Sequence, residues 1–271
     1  MKFLNLLAVI ILAFSFNANA TEATSVKEVK EKVVKEEVAS FEAYIKQVKE
    51  FETSDKFKPE LLSTELPQDL NIGDPNAKVK IVEYASLGCI HCKQFHQDVF
   101  YELKKNYIDT GKVYFTFRHY PLNAPALKAG VVMNCVEPSD KLAFMGTLFE
   151  AQAQWAYSKS EADLTDKLKT ISKIAGITTE KFEQCYKDEA VQGQILENMK
   201  SAYDKLLVTS TPSIFINGKR FLESREYAGT AKYIDGLLAG KSVDAVRKEA
   251  FEAKKDPATT PAKVETTPAA K

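Results

Sequence analysis

The feature that most constrains the fold is a pair of cysteines, Cys89 and Cys92, between a strand-like run and a helix-like run. Residues 79–84 have the composition of a buried strand. The residues after Cys92 carry apolar side chains at helical spacing, on the face that includes Cys92 itself. A Cys-x-x-Cys at the start of a helix that follows a strand is typical of a dithiol–disulfide redox centre. The motif therefore predicts a protein that exchanges electrons with the cysteines of other proteins.

The neighbouring segments predict an α/β fold. Residues 113–117 alternate as a second strand does, and strand, helix and strand in close succession form a βαβ unit with a parallel strand pair. Residues 122–208 have almost continuous helical patterns and form a helical insert. The α/β frame then resumes, because Asn217-Gly218 predicts a hairpin turn between two short strands and residues 227–238 predict a final helix.

The N-terminus predicts export. Lys2 precedes an unbroken apolar run of nine residues, Leu6 to Phe14, and Ala18-Asn19-Ala20 offers a cleavage site. This pattern is typical of a secretory signal peptide over residues 1–20, and the run is too short to span a bilayer. An uncleaved anchor is the alternative. No later segment is apolar enough to cross a membrane.

The two ends of the mature chain differ from its centre. Residues 21–58 are highly charged and predict an amphipathic helix with a narrow apolar stripe. Because isolated helices need packing to persist, the stripe predicts either an oligomerisation helix or a helix laid on its own domain, or else a partly solvated spacer. Residues 253–271 are rich in Pro, Ala, Thr and Lys and predict a disordered tail. The stripe consists of Val34, Val38, Phe41, Ile45 and Val48.

The charge balance argues against nucleic acid as a partner. Lys and Arg together number 37, and so do Asp and Glu, so the formal net charge is zero. Proteins that bind nucleic acids usually show a strongly basic face. The charge balance therefore gives no indication of nucleic acid as a partner.

The two thiols of the motif have different predicted roles. Cys89 lies where the helix begins, so unpaired backbone N–H groups and the positive end of the helix dipole stabilise its thiolate. A lowered thiol pKa makes Cys89 a better leaving group and makes the pair more oxidising. Cys92 lies one turn further, on the buried stripe, where it resolves the mixed disulfide. His91 adds a possible hydrogen-bond donor or positive charge, or else faces solvent as a spacer.

Other uses of the cysteine pair are less consistent with the sequence. A structural disulfide and half of a zinc site are the alternatives. A zinc site needs two further ligands, and the chain has no second Cys-x-x-Cys and no His-x3-His. A c-type haem is excluded because Lys93, not His, follows Cys92. The sequence therefore predicts no metal and no bound cofactor apart from the redox-active Cys89–Cys92 disulfide.

Glu83 is a candidate proton carrier. It shares a strand face with Val79 and Ile81, because side chains alternate along a strand. This places the carboxyl group half-buried beneath the redox helix, where it could carry protons to or from Cys92. The alternative is a glutamate at a strand edge, paired with Lys or Arg.

The order of these motifs resembles the thioredoxin fold, and more narrowly the DsbA family of bacterial exported thiol:disulfide oxidoreductases. The resemblance covers roughly residues 67–240. One departure is Ile90, where the best-known members have proline, and the helix over 21–58 has no fixed counterpart in the family. The resemblance rests on Asn71-Ile72-Gly73-Asp74-Pro75, Glu83, Cys89-x-His91-Cys92, Phe117-Arg118-His119-Tyr120-Pro121-Leu122, the helical insert, and Thr211-Pro212-Ser213 before Phe215-Ile216-Asn217-Gly218.

The resemblance implies a DsbA-like thioredoxin domain over residues 59–245 with its insert at about 122–208. It implies that Thr211-Pro212 is the family's cis-proline loop, with Thr211 near Cys89 and its backbone available to a substrate strand. It also implies a periplasmic location, reduced exported proteins as substrates and a membrane protein that reoxidises the pair. Residues of the predicted catalytic set are Glu83, Cys89, His91, Cys92, Thr211 and Pro212.

The remaining cysteines and histidines are not predicted to take part in catalysis. Cys135 and Cys185 lie 50 residues apart in the insert and form either a structural disulfide or two free core thiols. His96 is predicted to be a residue of the helix surface, although it could face the same side as Cys92. His119 has no predicted role.

Three functions fit the sequence. The leading prediction is an oxidase that introduces disulfides into exported proteins. The second keeps the chemistry but reverses its direction: an isomerase or reductase that acts as a homo-oligomer through the helix over 21–58. The third is a binding protein that uses the same scaffold without turnover, which the intact Cys89/Cys92 pair at a helix start argues against.

Overall fold

The computed structural model describes residue 39 and residues 42–222 and 226–255, with the backbone alone for 251–255. The chain divides into two compact units, Met1–Lys49 and Glu50–Lys271. The predicted signal peptide over 1–20 lies outside the described residues. No helix in the described part of the chain is both long and apolar enough to cross a membrane.

Helix α1 covers residues 42–52, so the helix predicted over 21–58 ends six residues earlier than expected. The hydroxyl of Thr53 donates to the carbonyl of Glu50 at 3.0 Å, and that of Ser54 donates to Phe51 at 2.8 Å. Side chains of this kind compete with helical hydrogen bonds and so end the helix. Of the predicted apolar stripe, Val34, Val38 and Phe41 lie outside the described residues, Ile45 is half-buried and Val48 is buried.

The second unit is built on a five-stranded sheet with the order β1-β3-β2-β4-β5. Strands β2 and β3 are parallel, as the βαβ prediction requires, and the other neighbours are antiparallel. Asn217 and Gly218 both have positive φ, 46° and 80°, which confirms the predicted hairpin turn. The strands are β1 (Leu70–Ile72), β2 (Val79–Ala85), β3 (Val113–His119), β4 (Ser213–Ile216) and β5 (Lys219–Arg220).

The helix after the cysteine pair alternates between α-helical and π-helical turns, and the predicted insert is helical throughout most of its length. The helices are α2 (Glu60–Ser63), α3 (Ile90–Phe95), a π-helical turn (His96–Phe100), α4 (Tyr101–Leu103), a second π-helical turn (Lys104–Ile108), α5 (Ala124–Met133), α6 (Lys141–Glu150), α7 (Gln152–Trp155), α8 (Glu161–Ile174), α9 (Thr179–Tyr186), α10 (Glu189–Leu206), α11 (Tyr227–Leu238) and α12 (Val243–Lys255).

Four helices of the insert begin at residues that cap their own first turn. Asn123, Ser160, Thr178 and Asp188 each have extended backbone, and each side chain accepts the backbone N–H three residues on. These are the residue types that favour helix N-termini. The N-terminal ends of α5, α8, α9 and α10 therefore follow from local sequence chemistry.

The sheet is covered on both faces. On one face Ile81 of β2 and Phe115 and Phe117 of β3 pack against Cys92 and Val99 of the redox helix and against the insert. On the other, Val82, Tyr84 and Phe215 pack against Phe57, Leu62 and Leu206. Strand β2 is the central strand, so its loop toward Cys89 starts from the most enclosed part of the fold.

A helix that was not predicted follows α11. The prediction that residues 227–238 form the last helix was wrong, because α12 runs from Val243 to Lys255, across the predicted domain end at 245 and past residue 253. Its position is fixed by a long-range pair: Arg247 Nη1 lies 2.8 Å from Glu52 Oε2, and both side chains are buried. A contact between residues 195 positions apart leaves no periodic pattern in the local sequence.

The insert is closed by a disulfide between Cys135, just after α5, and Cys185 in α9, with the two Cα atoms 6.0 Å apart. This confirms the bridged alternative over two free core thiols. We expect Cys135→Ala/Cys185→Ala to lower the free energy of unfolding by roughly 4 kcal/mol, because the bridge restricts a 50-residue loop in the unfolded chain.

Denaturant unfolding of the double variant against the native chain measures this loss, with Cys89 and Cys92 left intact in both proteins. Substitution is preferable to a reductant, which would also open the other pair. An unchanged free energy of unfolding would contradict the expected role of the bridge.

Candidate active site

The loop between β2 and α3 places Cys89 at the first position of the redox helix. Cys89 is the N-cap of α3, with extended backbone, and its carbonyl accepts the N–H of Lys93 at 3.1 Å. The N–H of Cys89 donates to the backbone carbonyl of Ser86 at 3.0 Å. Gly88 lies so close to the insert that a Cβ atom there would stand 3.3 Å from the Cβ of Ala126. A tight loop between the central strand and the insert therefore presents the first thiol.

The thiol of Cys89 is partly exposed, and its pKa is lowered to about 5. The largest cause is a hydrogen bond from the Cys92 thiol, which stabilises the thiolate. Burial acts in the opposite direction, and Thr211 and the backbone N–H groups of Cys92 and His91 lower the pKa further. The shift has the direction expected from the helix start, but the neighbouring thiol contributes more than the amides.

The thiol of Cys92 has the opposite character. It is fully buried, and its pKa is raised well above the ordinary value, first by burial, then by its hydrogen bond to Cys89 and by the negative charge of Glu83. Cys92 therefore keeps its proton under conditions in which Cys89 has lost its own. The arrangement separates one exposed thiolate from one shielded thiol, as the predicted roles of the two residues require.

Thr211 and Pro212 lie against the first thiol. The peptide bond between them is cis, as the resemblance implied. The Sγ atom of Cys89 lies 3.5 Å from the carbonyl oxygen of Thr211, and both Thr211 and Pro212 are buried. The loop before β4 thus covers one side of Cys89.

His91 turns away from the thiols. Its ring is exposed, and Nδ1 lies 3.1 Å from Oε1 of Gln94. Its contribution to the site is its backbone N–H, which helps to lower the pKa of Cys89. The structure therefore agrees with the alternative in which the His91 side chain faces solvent, and this side chain makes no contact with the thiolate.

Glu83 and His96 form a buried pair that sequence reasoning missed. Glu83 was expected to be half-buried and is completely buried, and its Oε2 lies 2.8 Å from Nε2 of His96. The prediction that His96 belongs to the helix surface was wrong, because it is 1% exposed. Its position four residues after Cys92, on the apolar face, was the available signal. It opens a π-helical turn, and such turns occur often at functional sites.

Gln152 is a second residue that sequence reasoning missed. It begins α7 in the insert, is buried, and its Nε2 donates to the carbonyls of Leu87 at 2.7 Å and Cys89 at 3.0 Å. These are the backbone atoms of the redox loop. An isolated glutamine in a helical segment gave no signal of this role, since the contact joins residues more than 60 positions apart.

An apolar surface flanks the exposed thiol. Ile90, directly after Cys89, is 47% exposed, and Leu122 is 54% exposed. The N–H of Leu122 lies 3.4 Å from Oγ of Ser86, which belongs to the redox loop. In the described part of the chain, no three His, Cys, Asp or Glu side chains lie together in a way that could hold a metal ion.

The thiol–thiol hydrogen bond gives a direct prediction for the pKa of Cys89. Replacing Cys92 by alanine should raise this pKa above the native value of about 5, because the largest stabilising contact is lost. Cys92→Ser should restore part of the shift, since its hydroxyl can donate in the same direction. Absorbance of the thiolate at 240 nm against pH measures the midpoint in each reduced protein. Equal midpoints in native protein and Cys92→Ala would contradict this account.

Gln152→Leu should destabilise the redox loop. The substitution removes the donor to the Leu87 carbonyl and one of two donors to the Cys89 carbonyl, which still accepts from Lys93. The expected loss of stability is about 1–3 kcal/mol, the cost of one buried unpaired group. Gln154→Leu is the matched control, because Gln154 is an exposed residue of the same helix. Urea unfolding gives the stability of each variant, and alkylation of Cys89 at pH 6 reports its reactivity. Equal stabilities for the two variants would show that the hydrogen bonds of Gln152 do not stabilise the redox loop.

Comparison with known proteins places the chain in a family. The family model described as Thioredoxin matches residues 65–236. The crystal structure of Wolbachia pipientis alpha-DsbA1 is similar, with 33% identity, 70% of this chain and 98% of that chain covered, and a TM-score of 0.61. Disulfide bond formation protein D of Bacillus subtilis is 25% identical over 178 residues, which are 63% of this chain and 77% of that protein.

Several Rickettsia proteins, whose names mark them as candidate protein-disulfide oxidoreductases, are also similar. The Rickettsia prowazekii protein is 29% identical over 187 residues, 67% of each chain. Four further Rickettsia relatives are matched over 53–57% of their own length. Together with the sheet order, the inserted helices and the opposite pKa shifts of the two thiols, these matches show that the chain belongs to the DsbA family of thioredoxin-fold thiol:disulfide oxidoreductases.

Proposed function

We propose that the protein is an oxidase that introduces disulfides into reduced proteins outside the cytoplasm. The observation that carries the proposal is the difference between the two thiols of one motif: the pKa of Cys89 is lowered to about 5, and that of Cys92 is raised well above its ordinary value. A stabilised thiolate favours the reduced form of the pair. The oxidised pair is therefore a strong acceptor of electrons.

The reaction follows from the positions of the two sulfur atoms. A substrate thiolate attacks Sγ of Cys89, the Cys89–Cys92 bond breaks, and its electron pair passes to Sγ of Cys92, which takes up a proton. A second substrate thiolate then attacks the substrate sulfur of the mixed disulfide, and Cys89 leaves as a thiolate. Its low pKa makes it a good leaving group. Substrate is oxidised by two electrons and the cysteine pair is reduced by two.

The same chemistry needs no bound cofactor in this proposal, because the Cys89–Cys92 pair itself holds the electrons. The reduced pair has to be reoxidised, and the family resemblance points to a membrane protein as the partner. Glu83 is the proposed proton carrier for Cys92, in line with its burial and the effect of its charge on that thiol. The exposed Ile90 and Leu122 offer apolar contacts to an unfolded substrate.

Export is supported by two observations. Residues 1–20 have the pattern of a secretory signal peptide. The Cys135–Cys185 disulfide is a structural bridge, and such bridges persist in oxidising compartments. A periplasmic location would also bring the protein to its proposed substrates.

An isomerase or reductase is the second candidate. Thr211, the residue before the cis-proline, lies 3.5 Å from Cys89, and threonine at this position is frequent in isomerases of this fold. An isomerase gains from an oligomer that holds a misfolded substrate between active sites, which the segment over 21–58 would supply. The two candidates therefore differ in reduction potential and in oligomeric state.

The reduction potential decides between the candidates. Equilibrating the protein with glutathione buffers and counting alkylated thiols by mass spectrometry should give a strongly oxidising potential, because the Cys89 thiolate is stabilised. Cys89→Ser should abolish oxidation of a reduced dithiol peptide, whereas Cys135→Ala/Cys185→Ala should retain it. A middling potential would favour the isomerase, and exchange by Cys89→Ser would refute the site itself.

The oligomer hypothesis has its own test. If the segment before the second unit assembles the protein, deleting residues 21–49 should lower the number of protomers per particle, which is the light-scattering mass divided by the mass of the shortened chain. This deletion leaves Glu52 in place, so its pair with Arg247 is retained. A number of protomers that does not change on deletion would rule out assembly through this segment.

A further inference from the structure

The buried pair of Glu83 and His96 is a polar, ionisable site among aromatic side chains. Both side chains lie almost fully buried on the sheet face beneath the redox helix, with 2.8 Å between Oε2 and Nε2. The ring of His96 is surrounded by phenyl rings, with centroids at 4.6 Å from Phe100 and 4.9 Å from Phe149. Phe95, Phe115 and Phe117 complete this cluster.

Each partner keeps one polar atom unused. Glu83 Oε1 and His96 Nδ1 are buried and make no hydrogen bond to the described residues. Buried polar atoms usually have a partner, and leaving one unpaired costs about 1–3 kcal/mol. A pair built only for stability would be expected to satisfy these atoms. Their availability is what a group needs to take up and release a proton.

We propose that His96 is a positioning residue for the resolving thiol: by its hydrogen bond to Glu83 it forms a dyad that gives a proton to Cys92 when the Cys89–Cys92 disulfide opens, and takes it back when the disulfide re-forms. The inference rests on the proposed function, since it concerns the steps of that exchange. The inference goes beyond the proposed function because it assigns a role to a histidine that lies outside the Cys-x-x-Cys motif.

The protons balance over one cycle. On opening, the S–S electron pair reaches Sγ of Cys92 and the dyad supplies the proton, so a neutral thiol forms and the dyad becomes more negative by one charge. On reoxidation, Cys92 returns its proton to the dyad as the S–S bond re-forms. No proton has to enter this buried region from solvent during either step.

His96 is required because an unpaired carboxylate is very costly in such a place. A buried ion without a partner loses its hydration, whereas a hydrogen bond from an imidazole stabilises the anion. With His96 present, Glu83 can give up its proton and remain paired. Without His96, a carboxylate at Glu83 would lose its only hydrogen-bond partner among the described residues, and proton donation to the leaving Cys92 thiolate would be slower.

The titratable groups that face the dyad from the packed elements are two thiols and one histidine. The redox helix presents Cys92, whose pKa responds to the charge of Glu83, and beyond it Cys89. Strand β3 presents Phe115 and Phe117, and next to Phe117 the buried His119, whose pKa is lowered to about 4 mainly by burial. Helix α6 presents Phe149. His119 is therefore neutral through the neutral pH range, and the changes of charge near the dyad belong to the two thiols.

The test measures the opening of the oxidised pair in the full chain. Dithiothreitol reduces each protein, samples are quenched with acid and alkylated, and rate constants are divided by the concentration of dithiothreitol thiolate at each pH. The variants are His96→Phe, which keeps an aromatic ring, His96→Gln, which can still donate to Glu83, and Glu83→Gln/His96→Phe. Phe149→Leu is the control, because it disturbs the rings packed on His96 but keeps both members of the dyad and the hydrogen bond between them.

His96→Phe should slow opening on the order of 100-fold near neutral pH, the lower range for loss of a positioned proton donor. Its normalised rate should rise as pH falls, because external acid replaces the dyad, whereas the native rate should change little between about pH 5 and about pH 8. His96→Gln should recover part of the loss. Glu83→Gln/His96→Phe should be no slower than His96→Phe, since the two residues act as a unit.

The inference is overturned if His96→Phe opens as fast as the native chain, or if Phe149→Leu loses as much with the same pH profile. If His96→Phe does not fold, His96→Gln compared with Phe149→Leu decides the same question, because only the former should change the pH profile. A native protein whose disulfide opens no faster than a free peptide disulfide would instead refute the proposed function.

Discussion

One hydrogen bond, from the thiol of Cys92 to the sulfur of Cys89, sets the chemistry of the whole site. It is the largest cause of the lowered pKa of Cys89, and it helps to raise the pKa of Cys92. Burial is the larger cause for Cys92, and together with this contact it keeps the Cys92 thiol protonated while the Cys89 thiolate is stabilised. A spacing of two residues at a helix start places the second sulfur one turn behind the first, so the motif creates both halves of this asymmetry.

The surrounding fold keeps this contact in place from several directions. Strand β2 lies in the middle of the sheet and is covered on both faces, so the loop that it feeds starts from a rigid base. The insert adds Gln152, which donates to two carbonyls of that loop. The loop before β4 adds Thr211, whose carbonyl lies against Cys89. Each element comes from a different part of the chain, and together they leave Cys89 partly exposed while Cys92 stays enclosed.

Local patterns predicted the frame, and long-range contacts decided what those patterns left open. The parallel strand pair, the hairpin at Asn217-Gly218 and the bounds of α11 follow from alternation, turn chemistry and helical spacing. In contrast, α12 depends on the pairing of Arg247 with Glu52, and the role of Gln152 depends on carbonyls far away in sequence. His96 was accessible in principle, because it lies on the apolar face of the redox helix, but residue type outweighed position in assigning it to the surface.

The two faces of β2 and β3 carry buried polar pairs that differ in how completely they are hydrogen-bonded. On the face away from the redox helix, Arg118 makes five hydrogen bonds, two to Asp69 and one each to Leu61, Thr64 and Tyr84, so its fork of donors is fully used. Such a network fixes a single arrangement. On the face beneath Cys92, Glu83 and His96 share one hydrogen bond and each keeps a polar atom unpaired. The Arg118–Asp69 pair is therefore fully hydrogen-bonded, whereas the Glu83–His96 pair is not. The unpaired atoms lie beneath Cys92, where our proposal needs a group that can give up and take back a proton.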